Sequence, residues 1–518
     1  MESLSETTWD VIICSTSLQQ SLLALALSRS DKKILHIDPN DYYGGCEAAF
    51  SLNEADAWAT EIAHASLSSS SSSVFAAAAV TKPTEEASAI SNARACALSL
   101  SPQLIHANST LLSQLVSSRA YRQLEFLAVG SFFVLKPAAA DGASTSPTLA
   151  RIPSTREDVF SSSDLSARAK RQLMKFLKLV LSYEEEEARP QWQEYAERPL
   201  ADFLGEKMGL DYELRTYITA LTLSLDGQIS TKKGLGTIHR HLTSMGLFGP
   251  GFAAVYPKWG GGSEIAQVAC RAGAVGGGIY MLGTGIKTLK SEGQNEELVE
   301  VELSDGTVVK AKTLIRGPEQ ASPTVDLATE PSVNTVSRLI TVVDSPLTSL
   351  FVTNVEGAPT PAVAVIALPP GSVTTSDGTE SKYPIYVMAH SSETGECPAG
   401  QKKPGVLYLS TIHTSESRSL LDRAVAAVLA ALVTLQDSGV PQSLYQLYYE
   451  QRSGVNNTVT SEGRIHSFPT PPVSLTFDDD ILGPVQQVWQ KVMPEAAEDE
   501  NIQYMIFADR EGVGDEDD

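Results

Sequence analysis

The amino-acid sequence predicts an α/β fold with mixed sheets, in which a smaller all-helical domain interrupts one α/β domain. Three observations lead to this prediction. At 518 residues the chain exceeds the size of one typical hydrophobic core. Its start alternates strand and helix patterns, whereas residues 154–246 hold several amphipathic helices and few strand signals. We therefore assign residues 1–153 and 247–495 to the α/β domain, 154–246 to the helical domain and 496–518 to an acidic tail.

The start of the chain carries the pattern strand, helix, strand. The segments are Val11–Cys14, Leu18–Leu27 and Ile34–Ile37. With Asp38 closing the second strand, they form the first βαβ unit of a Rossmann domain of the FAD/NAD(P)-binding type. Ser15 and Ser17 stand where such a domain needs glycines for a tight turn and for backbone approach to a pyrophosphate. We therefore expect the scaffold of a flavin enzyme without its cofactor.

Composition and charge exclude several classes of ligand. Lys and Arg number 39 against 62 Asp and Glu, a formal net charge of −23, which disfavours nucleic acid and anionic membrane surfaces as direct ligands. The five cysteines are scattered without CxxC spacing, which indicates a reducing compartment and no zinc site. No apolar run reaches the length of a membrane span, and no basic segment leads a secretory core. We expect a cytosolic protein without a bound metal.

The middle and the end of the chain differ in complexity. Residues 66–92 include serine and alanine runs, and we expect a disordered surface loop there. After the helical domain, runs of β-branched residues predict strands between Ile279 and Ile315 and between Leu339 and Tyr449. One helix rich in alanine and leucine is predicted at Leu420–Leu435.

Two segments carry a family resemblance. The first is Asp38–Gly45 (DPNDYYGG), directly after the βαβ unit. The second is Tyr256–Leu282, which contains YPKWGGGSEIAQ and, further on, GGGIYML. With the helical domain between them, these segments resemble the Rab GDP dissociation inhibitor and Rab escort protein family over most of residues 9–320.

The resemblance implies which residues bind Rab. The positions that match the family's Rab-binding residues are Tyr43, Glu264, Gln267, Arg271 and Met281. The residue types agree, because Glu264, Gln267 and Arg271 repeat at helical spacing and put an acid, an amide and a base on one helix face. Such a face suits a specific polar interface. Without the resemblance, the same three residues indicate a solvated helix face, and Tyr43 and Met281 indicate ordinary packing.

The helical domain separates two branches of this family. Asp158-Val159-Phe160 followed by Lys170-Arg171 resembles the escort branch, in which a phenylalanine and an arginine matching Phe160 and Arg171 dock Rab geranylgeranyltransferase. Apolar residues at helical spacing in the same domain are candidates for shielding the geranylgeranyl group of prenylated Rab. These residues are Leu173, Phe176, Leu177, Leu221 and Leu225. From the residues alone, a helix-bundle core is the simpler interpretation.

The resemblance therefore implies an accessory protein without catalytic activity. It would bind newly made GDP-bound Rab, present it to the two-subunit transferase for C-terminal prenylation and chaperone the product to membranes, with only transient membrane contact. A Rab GDP dissociation inhibitor that recycles prenylated Rab is the first alternative. A flavin-dependent oxidoreductase is the second, and Ser15 and Ser17 argue against it. His239 and His241, two positions apart on a predicted helix, do not make a metal pair.

Overall fold

The computed structural model describes residues 4–65, 74–82, 93–138, 146–153, 159, 166–289, 298–317, 334–353, 355–397, 403–433, 439–454 and 457–508. Within them the strands are, in chain order, β1 (Thr8–Cys14), β2 (Ile34–Ile37), β3 (Ala49–Phe50), β4 (Phe75–Thr81), β5 (Leu98–Ser99), β6 (Ile105–His106), β7 (Phe126–Lys136), β8 (Thr148–Arg151), β9 (Ala254–Pro257), β10 (Ile279–Met281), β11 (Ile286–Leu289), β12 (Val299–Leu303), β13 (Val308–Arg316), β14 (Asn334–Val343), β15 (Val363–Leu368), β16 (Ile385–His390), β17 (Gly405–Ile412), β18 (Ser443–Ser453), β19 (Thr460–Glu462) and β20 (Ile465–Ser467). The helices are α1 (Leu18–Leu27), α2 (Leu52–Ala65), α3 (Thr110–Ser117), α4 (Ala167–Leu181), α5 (Arg189–Trp192), α6 (Leu200–Asp202), α7 (Tyr212–Leu221), α8 (Thr231–Ser244), α9 (Gly262–Val275), α10 (Ser417–Val433) and α11 (Leu482–Val492). Across these described ranges, no helix is both long enough and apolar enough to span a bilayer.

The first sheet is the predicted Rossmann sheet. Its strand order is β10-β2-β1-β13-β12-β11, with β20 paired to β13 and β19 to β20. β1 pairs in parallel with β2 and β13, and β2 pairs in parallel with β10. α1 is buried along its whole length and packs in one apolar cluster with α9 and α11. The predicted βαβ unit is confirmed, and α1 and β2 have the predicted bounds.

The second sheet carries helices on both faces. Its strand order is β4-β18-β14-β17-β16-β15-β7-β9-β6, with β8 paired to β7. Alternate residues point to opposite faces of a strand, so Val387 packs with α10 whereas Tyr386 and Met388 join a cluster that includes Phe176 and Leu214. The helices from α4 to α8 therefore share their core with this sheet. The boundaries at 153/154 and 246/247 stay a prediction.

The prediction of a disordered loop at residues 66–92 is wrong at its centre. β4 contains the alanine run and pairs antiparallel with β18. Phe75 anchors the strand, because its ring packs edge-on against Trp58 at 5.2 Å between centroids and against Tyr449 at 5.8 Å. Small side chains alone offer little packing, but backbone pairing and one aromatic anchor hold this segment. Residues 66–73 and 83–92 lie outside the described part of the chain.

The prediction of an acidic tail from residue 496 is wrong for residues 496–508. Met505 is 1% exposed, and Ile502, Tyr504 and Phe507 pack against the apolar cluster that α1 and α11 share. The Tyr504 ring lies 5.4 Å from that of Trp489. A short apolar run thus outweighs its acidic neighbours and folds back onto the first sheet's helices. Residues 509–518 lie outside the described residues.

Candidate functional site

Four of the five residues predicted to bind Rab lie around one surface cavity. Its volume is about 400 Å³, and Tyr43, Glu264, Gln267 and Arg271 line it. Tyr43 comes from the loop after β2 and the others from α9, so two segments far apart in the sequence meet here. Gln267 and Arg271 are exposed, and Tyr43 and Glu264 are half-buried. The polar groups are displayed at the surface, where a macromolecule can reach them.

A glycine turn sets the direction of α9. Trp259, Gly260 and Gly261 have positive φ angles of 70°, 111° and 65°, a backbone region that favours glycine. A Cβ at Gly261 would lie 2.6 Å from the Tyr256 hydroxyl, so a larger residue does not fit there. The Trp259 N–H donates to the Thr394 carbonyl at 2.9 Å and fixes the turn. α9 begins at the next residue, so the turn also aims its polar face.

The DYYGG loop places Tyr43 beside α9. The ring of Tyr42 turns inward and packs edge-on against Phe50, with 4.8 Å between centroids. Gly44 has a φ of 100°, and its N–H donates to Thr16 Oγ1 at 3.0 Å. These two contacts pin the loop on either side of Tyr43. Burial raises the pKa of Tyr43, so its phenol stays neutral at physiological pH and can donate a hydrogen bond.

The polar side chains of α9 have different environments. Burial raises the pKa of Glu264, because an ionised carboxylate loses solvation there. Gln267 donates from Nε2 to Ser263 Oγ at 3.1 Å, which orients its amide. Arg271 is exposed further along the same helix. The surface therefore offers a partly desolvated acid, an oriented amide and a cation.

The cavity also contains residues that the sequence analysis did not select. Cys270 and Tyr280 line it together with Val268 and Ala274. Burial raises the pKa of Cys270 to about 12, so this side chain is a neutral thiol. Tyr280 comes from β10, and its ring lies 4.7 Å from that of His36. The helical spacing that predicted the polar face also reaches Cys270 and Ala274, so extending it would have found both.

Met281 does not lie with the other four predicted residues. It follows Tyr280 in β10, and successive strand residues point to opposite faces. Met281 is half-buried and packs against the apolar cluster of the first sheet, which includes Ile37. Its carbonyl accepts the Asp38 N–H at 2.9 Å. A contact between Met281 and a partner stays a prediction.

The turn between β1 and α1 does not fit a dinucleotide cofactor. Ser15 has a φ of 84°, and its Oγ lies 3.1 Å from Ser17 Oγ. A Cβ at Gly45 would lie 2.0 Å from Ser17 Oγ, so the following loop closes directly over this turn. At the start of α1, where a Rossmann enzyme binds pyrophosphate, the Leu18 N–H donates to Glu47 Oε2 at 3.1 Å. The protein's own carboxylate occupies the position that a phosphate would take.

The Asp38 side chain accepts hydrogen bonds from within the same turn and the loop after β2. In a dinucleotide enzyme an acid at this strand end binds the ribose. Here its side chain is fully buried, and Oδ2 accepts the Thr16 N–H at 2.6 Å and the Thr16 hydroxyl at 2.7 Å. Oδ1 accepts the Asn40 N–H at 2.9 Å. The carboxylate closes the turn and has no face left for a sugar.

The helical region contains the remaining predicted residues. Arg171 is exposed on α4, whereas Phe160 lies outside the described residues. Four of the five predicted lipid contacts line an apolar cavity of about 40 Å³ between α4, α7 and α8: Leu173, Phe176, Leu177 and Leu221. Leu225 instead lines a more polar cavity of about 640 Å³ together with Asp226 and Arg240. The apolar cavity is a small gap in the helical core in this conformation.

Comparison with known proteins identifies the family. Residues 5–401 match the family described as GDI, GDP dissociation inhibitor. The chain belongs to the GDP dissociation inhibitor family. This match includes both segments that build the cavity and the helices between them.

Named relatives of this family member are found in yeasts and plants. Rab proteins geranylgeranyltransferase component A of Saccharomyces cerevisiae is 31% identical over 441 residues, which are 83% of this chain and 66% of the relative. Rab escort protein 1 of Arabidopsis thaliana is 26% identical over 95% of this chain and 93% of its own length. A probable secretory pathway GDP dissociation inhibitor 1 of Schizosaccharomyces pombe is 26% identical over 78% of this chain and 80% of its own. The chain thus spans just under two thirds of the Saccharomyces relative.

Solved structures share the fold of this family member. A Rab GDI from Plasmodium falciparum aligns with a TM-score of 0.64 over 94% of this chain and 98% of that chain, at 18% identity. An oxidoreductase from Methanosarcina mazei aligns with a TM-score of 0.57 over 93% of this chain and 100% of that chain, at 12% identity. The same scaffold therefore occurs in GDP dissociation inhibitors and in oxidoreductases, and the fold alone does not separate the two functions.

Proposed function

We propose that this protein acts as a Rab escort protein, the non-catalytic component A of Rab geranylgeranyltransferase. In the cytosol it binds newly made, GDP-bound Rab GTPases, presents them to the transferase for C-terminal prenylation and then chaperones the prenylated Rab to membranes. The observation that carries the proposal is the cavity in which Tyr43 meets Glu264, Gln267 and Arg271. These residues come from the two sequence segments that resemble the family.

The chemistry of the cavity supports a protein partner. Burial removes water from the Glu264 carboxylate, so its ionised form is costly in the free protein and its pKa is raised. A cation or N–H donor on Rab would relieve that cost. Arg271 offers a complementary contact for a carboxylate. Opposite charges on one face fix the orientation of a partner and reject wrong ones. Removing one member of a hydrogen-bonded charge pair from such an interface costs about 2–5 kcal/mol.

The names of the relatives support the escort branch. One is a component A of Rab geranylgeranyltransferase and another is a Rab escort protein. The sequence around Phe160 and Arg171 resembles the same branch, and Arg171 is exposed on α4, as a docking residue must be. In this proposal the transferase performs the chemistry, and the present chain binds and orients Rab.

The helical region is proposed to shield the attached geranylgeranyl group. The apolar cavity beside Leu177 and Leu221 has room for only a few water molecules. A long isoprenoid therefore enters only when α4 moves away from α7 or α8. Burial of the lipid favours that opening by about 0.8 kcal/mol per CH₂ group. Leu225 contributes only if the two cavities of this region join.

Reconstituted prenylation tests the escort role. Rab, geranylgeranyl diphosphate and the two-subunit transferase are combined with and without this chain, and lipid incorporation into Rab is measured. Transfer should require the chain and fall about tenfold or more for Phe160→Ala or Arg171→Ala, as expected for loss of an interface anchor. Arg423→Ala is the control, because this exposed arginine lies on α10 at the opposite face of the second sheet. Equal transfer without the chain would contradict the proposal.

A Rab GDP dissociation inhibitor is the second candidate, because the Schizosaccharomyces relative carries that name. Such a protein would bind Rab through the same cavity, lined by Tyr43, Glu264, Gln267 and Arg271, but would not bind the transferase. Extraction of prenylated Rab from vesicles without any stimulation of lipid transfer would favour this candidate over the escort role.

A further inference from the structure

Two thiols from distant parts of the chain meet in the buried core that the second sheet shares with the helical region. Cys96 and Cys397 have their Sγ atoms 3.3 Å apart. They are 5% and 1% exposed, respectively. We infer that Cys96 and Cys397 form a reversible disulfide when the protein meets a peroxide or a small-molecule disulfide such as oxidised glutathione. This inference does not depend on the proposed function.

The backbone geometry permits the bond. A disulfide needs a sulfur–sulfur distance of about 2.05 Å, so the two Sγ atoms have to approach by about 1.2 Å. The two segments already run side by side, because the Ala97 N–H donates to the Glu396 carbonyl at 2.8 Å. Each residue of that hydrogen bond is the direct neighbour of one cysteine. Rotation of the side chains can therefore supply the required movement without separating the segments.

The pair also has the chemistry for oxidation. The hydrogen bond between the thiols lowers the pKa of Cys96 and raises the pKa of Cys397, so Cys96 is the thiol that forms the attacking thiolate. With hydrogen peroxide, the Cys96 sulfur takes one oxygen to give a sulfenic acid and one water. The Cys397 sulfur then attacks the Cys96 sulfur, forming the S–S bond and releasing a second water, so two thiols and one peroxide give one disulfide and two waters. With oxidised glutathione, two exchange steps release two glutathione thiols.

The crosslink would join two segments that support the turn before α9. The segment of Cys397 holds this turn through the Thr394 carbonyl, which accepts the Trp259 N–H at 2.9 Å. Its Glu396 carboxylate also accepts the Tyr256 hydroxyl at 2.7 Å. The segment of Cys96 also lies close to the turn, because a Cβ at Gly260 would be 3.8 Å from that of Ala97. Oxidation therefore restrains opening of the turn that aims the polar face of α9.

Peptide mapping of the full-length protein tests the inference directly. The reduced protein is treated with hydrogen peroxide or oxidised glutathione, digested without reductant and analysed by mass spectrometry. A peptide pair that joins Cys96 to Cys397 should appear, with two hydrogen atoms fewer than the separate peptides, and dithiothreitol should remove it. Oxidation should also raise Tm by a few °C and slow amide exchange at residues 256–261.

Variants separate this pair from the other cysteines. Cys96→Ser and Cys397→Ser should each abolish the linked peptide and the oxidation-dependent rise in Tm. Cys14→Ala is the control. Cys14 is a buried cysteine in β1 of the first sheet and belongs to a different apolar cluster from Cys96 and Cys397, so its loss should leave the crosslink intact. Wild-type protein that accumulates sulfinic acid on single cysteines, or that links other pairs, would overturn the inference. Because this result comes from the wild type, it holds even if a variant folds poorly.

Discussion

At the scale of single residues, Glu264 connects stability with binding. Burial raises its pKa above the ordinary value of 4.5, so the folded protein holds the carboxylate less favourably than the unfolded chain does. Well below pH 4.5 both states are protonated and the penalty is absent. It develops as the pH rises from the ordinary value through the raised value in the folded state. We propose that a bound partner relieves this cost.

Glu264→Gln should therefore raise the free energy of unfolding at neutral pH, and the gain should vanish well below pH 4.5. Urea unfolding at the two pH values measures this difference. The same variant should bind GDP-bound Rab more weakly, because the amide cannot pair with a cation. Glu356→Gln, at an exposed carboxylate, should change neither property. A Glu264→Gln protein that is destabilised at neutral pH, or that binds Rab as tightly as the wild type, would contradict this assignment.

Gly273 is the position where α9 comes close to the Tyr280 hydroxyl. A Cβ at Gly273 would lie 2.4 Å from that hydroxyl, so Gly273→Ala displaces a ring that lines the cavity. Although alanine favours helices, we expect a loss of about 1–3 kcal/mol in unfolding free energy and weaker Rab binding. Gly483→Ala in α11 is the matched control, because nothing lies within 4 Å of its added methyl group. Chemical denaturation that gives equal changes for both variants would refute this explanation.

Sequence reasoning predicted only part of the cavity, for physical reasons. Helical spacing is local, so the shared face of Glu264, Gln267 and Arg271 could be predicted from the residues themselves. The meeting of Tyr43 with α9 depends on packing between distant segments, and only the family resemblance indicated it. Tyr280 was missed because the packing of β10 decides which of its side chains reaches the cavity.

At the scale of elements, apolar periodicity predicted the segments with continuous burial. Every residue of α1 and β2 is buried, and both have the predicted bounds. β4 was missed because β18, a partner far along the chain, stabilises it. Its aromatic anchor, Phe75, contacts rings that the local sequence does not reveal. A run of alanines by itself contains neither piece of information.

A substitution at Leu177 on α4 can show whether the lipid binds in the apolar cavity of the helical region. It is half-buried and lines the apolar cavity of about 40 Å³. Leu177→Phe fills that gap, so prenylated Rab should bind about tenfold more weakly or worse, since each excluded CH₂ removes about 0.8 kcal/mol. Binding of unprenylated Rab should not change. Leu181→Phe, at an exposed position near the end of the same helix, is the control. Wild-type affinity of Leu177→Phe for prenylated Rab would place the lipid elsewhere.

At the scale of the whole molecule, length and pattern predicted the fold class, and the structure confirms it. The helices around Phe176 share a buried cluster with the second sheet, and the sequence did not reveal this. Strand and helix periodicities carry no information about which elements pack together. The end of the chain was misjudged because its many acids obscured a short apolar run. Whether the molecule divides at 153/154 and 246/247 stays a prediction.

A substitution at Met505 can show whether residues 496–508 are part of the core. It is 1% exposed, whereas its neighbour Ile506 is 58% exposed. Met505→Ala should lower the free energy of unfolding by about 2–5 kcal/mol, because it leaves a cavity in the cluster shared by α1 and α11. Ile506→Ala should have little effect. Chemical denaturation of the two variants measures the difference, and a near-neutral Met505→Ala would mean that the segment is not part of the core.

We propose that GDP-bound Rab binds the cavity formed by Tyr43 and α9. The most direct measurement is the equilibrium affinity of unprenylated, GDP-bound Rab for the wild type, Arg271→Ala and the control Arg423→Ala. Both arginines are exposed on helices, but only Arg271 lines the cavity. We expect Arg271→Ala to weaken binding about tenfold or more, which corresponds to about 1.4 kcal/mol or more, and Arg423→Ala to bind as the wild type does. Equal affinities for all three proteins would contradict the claim.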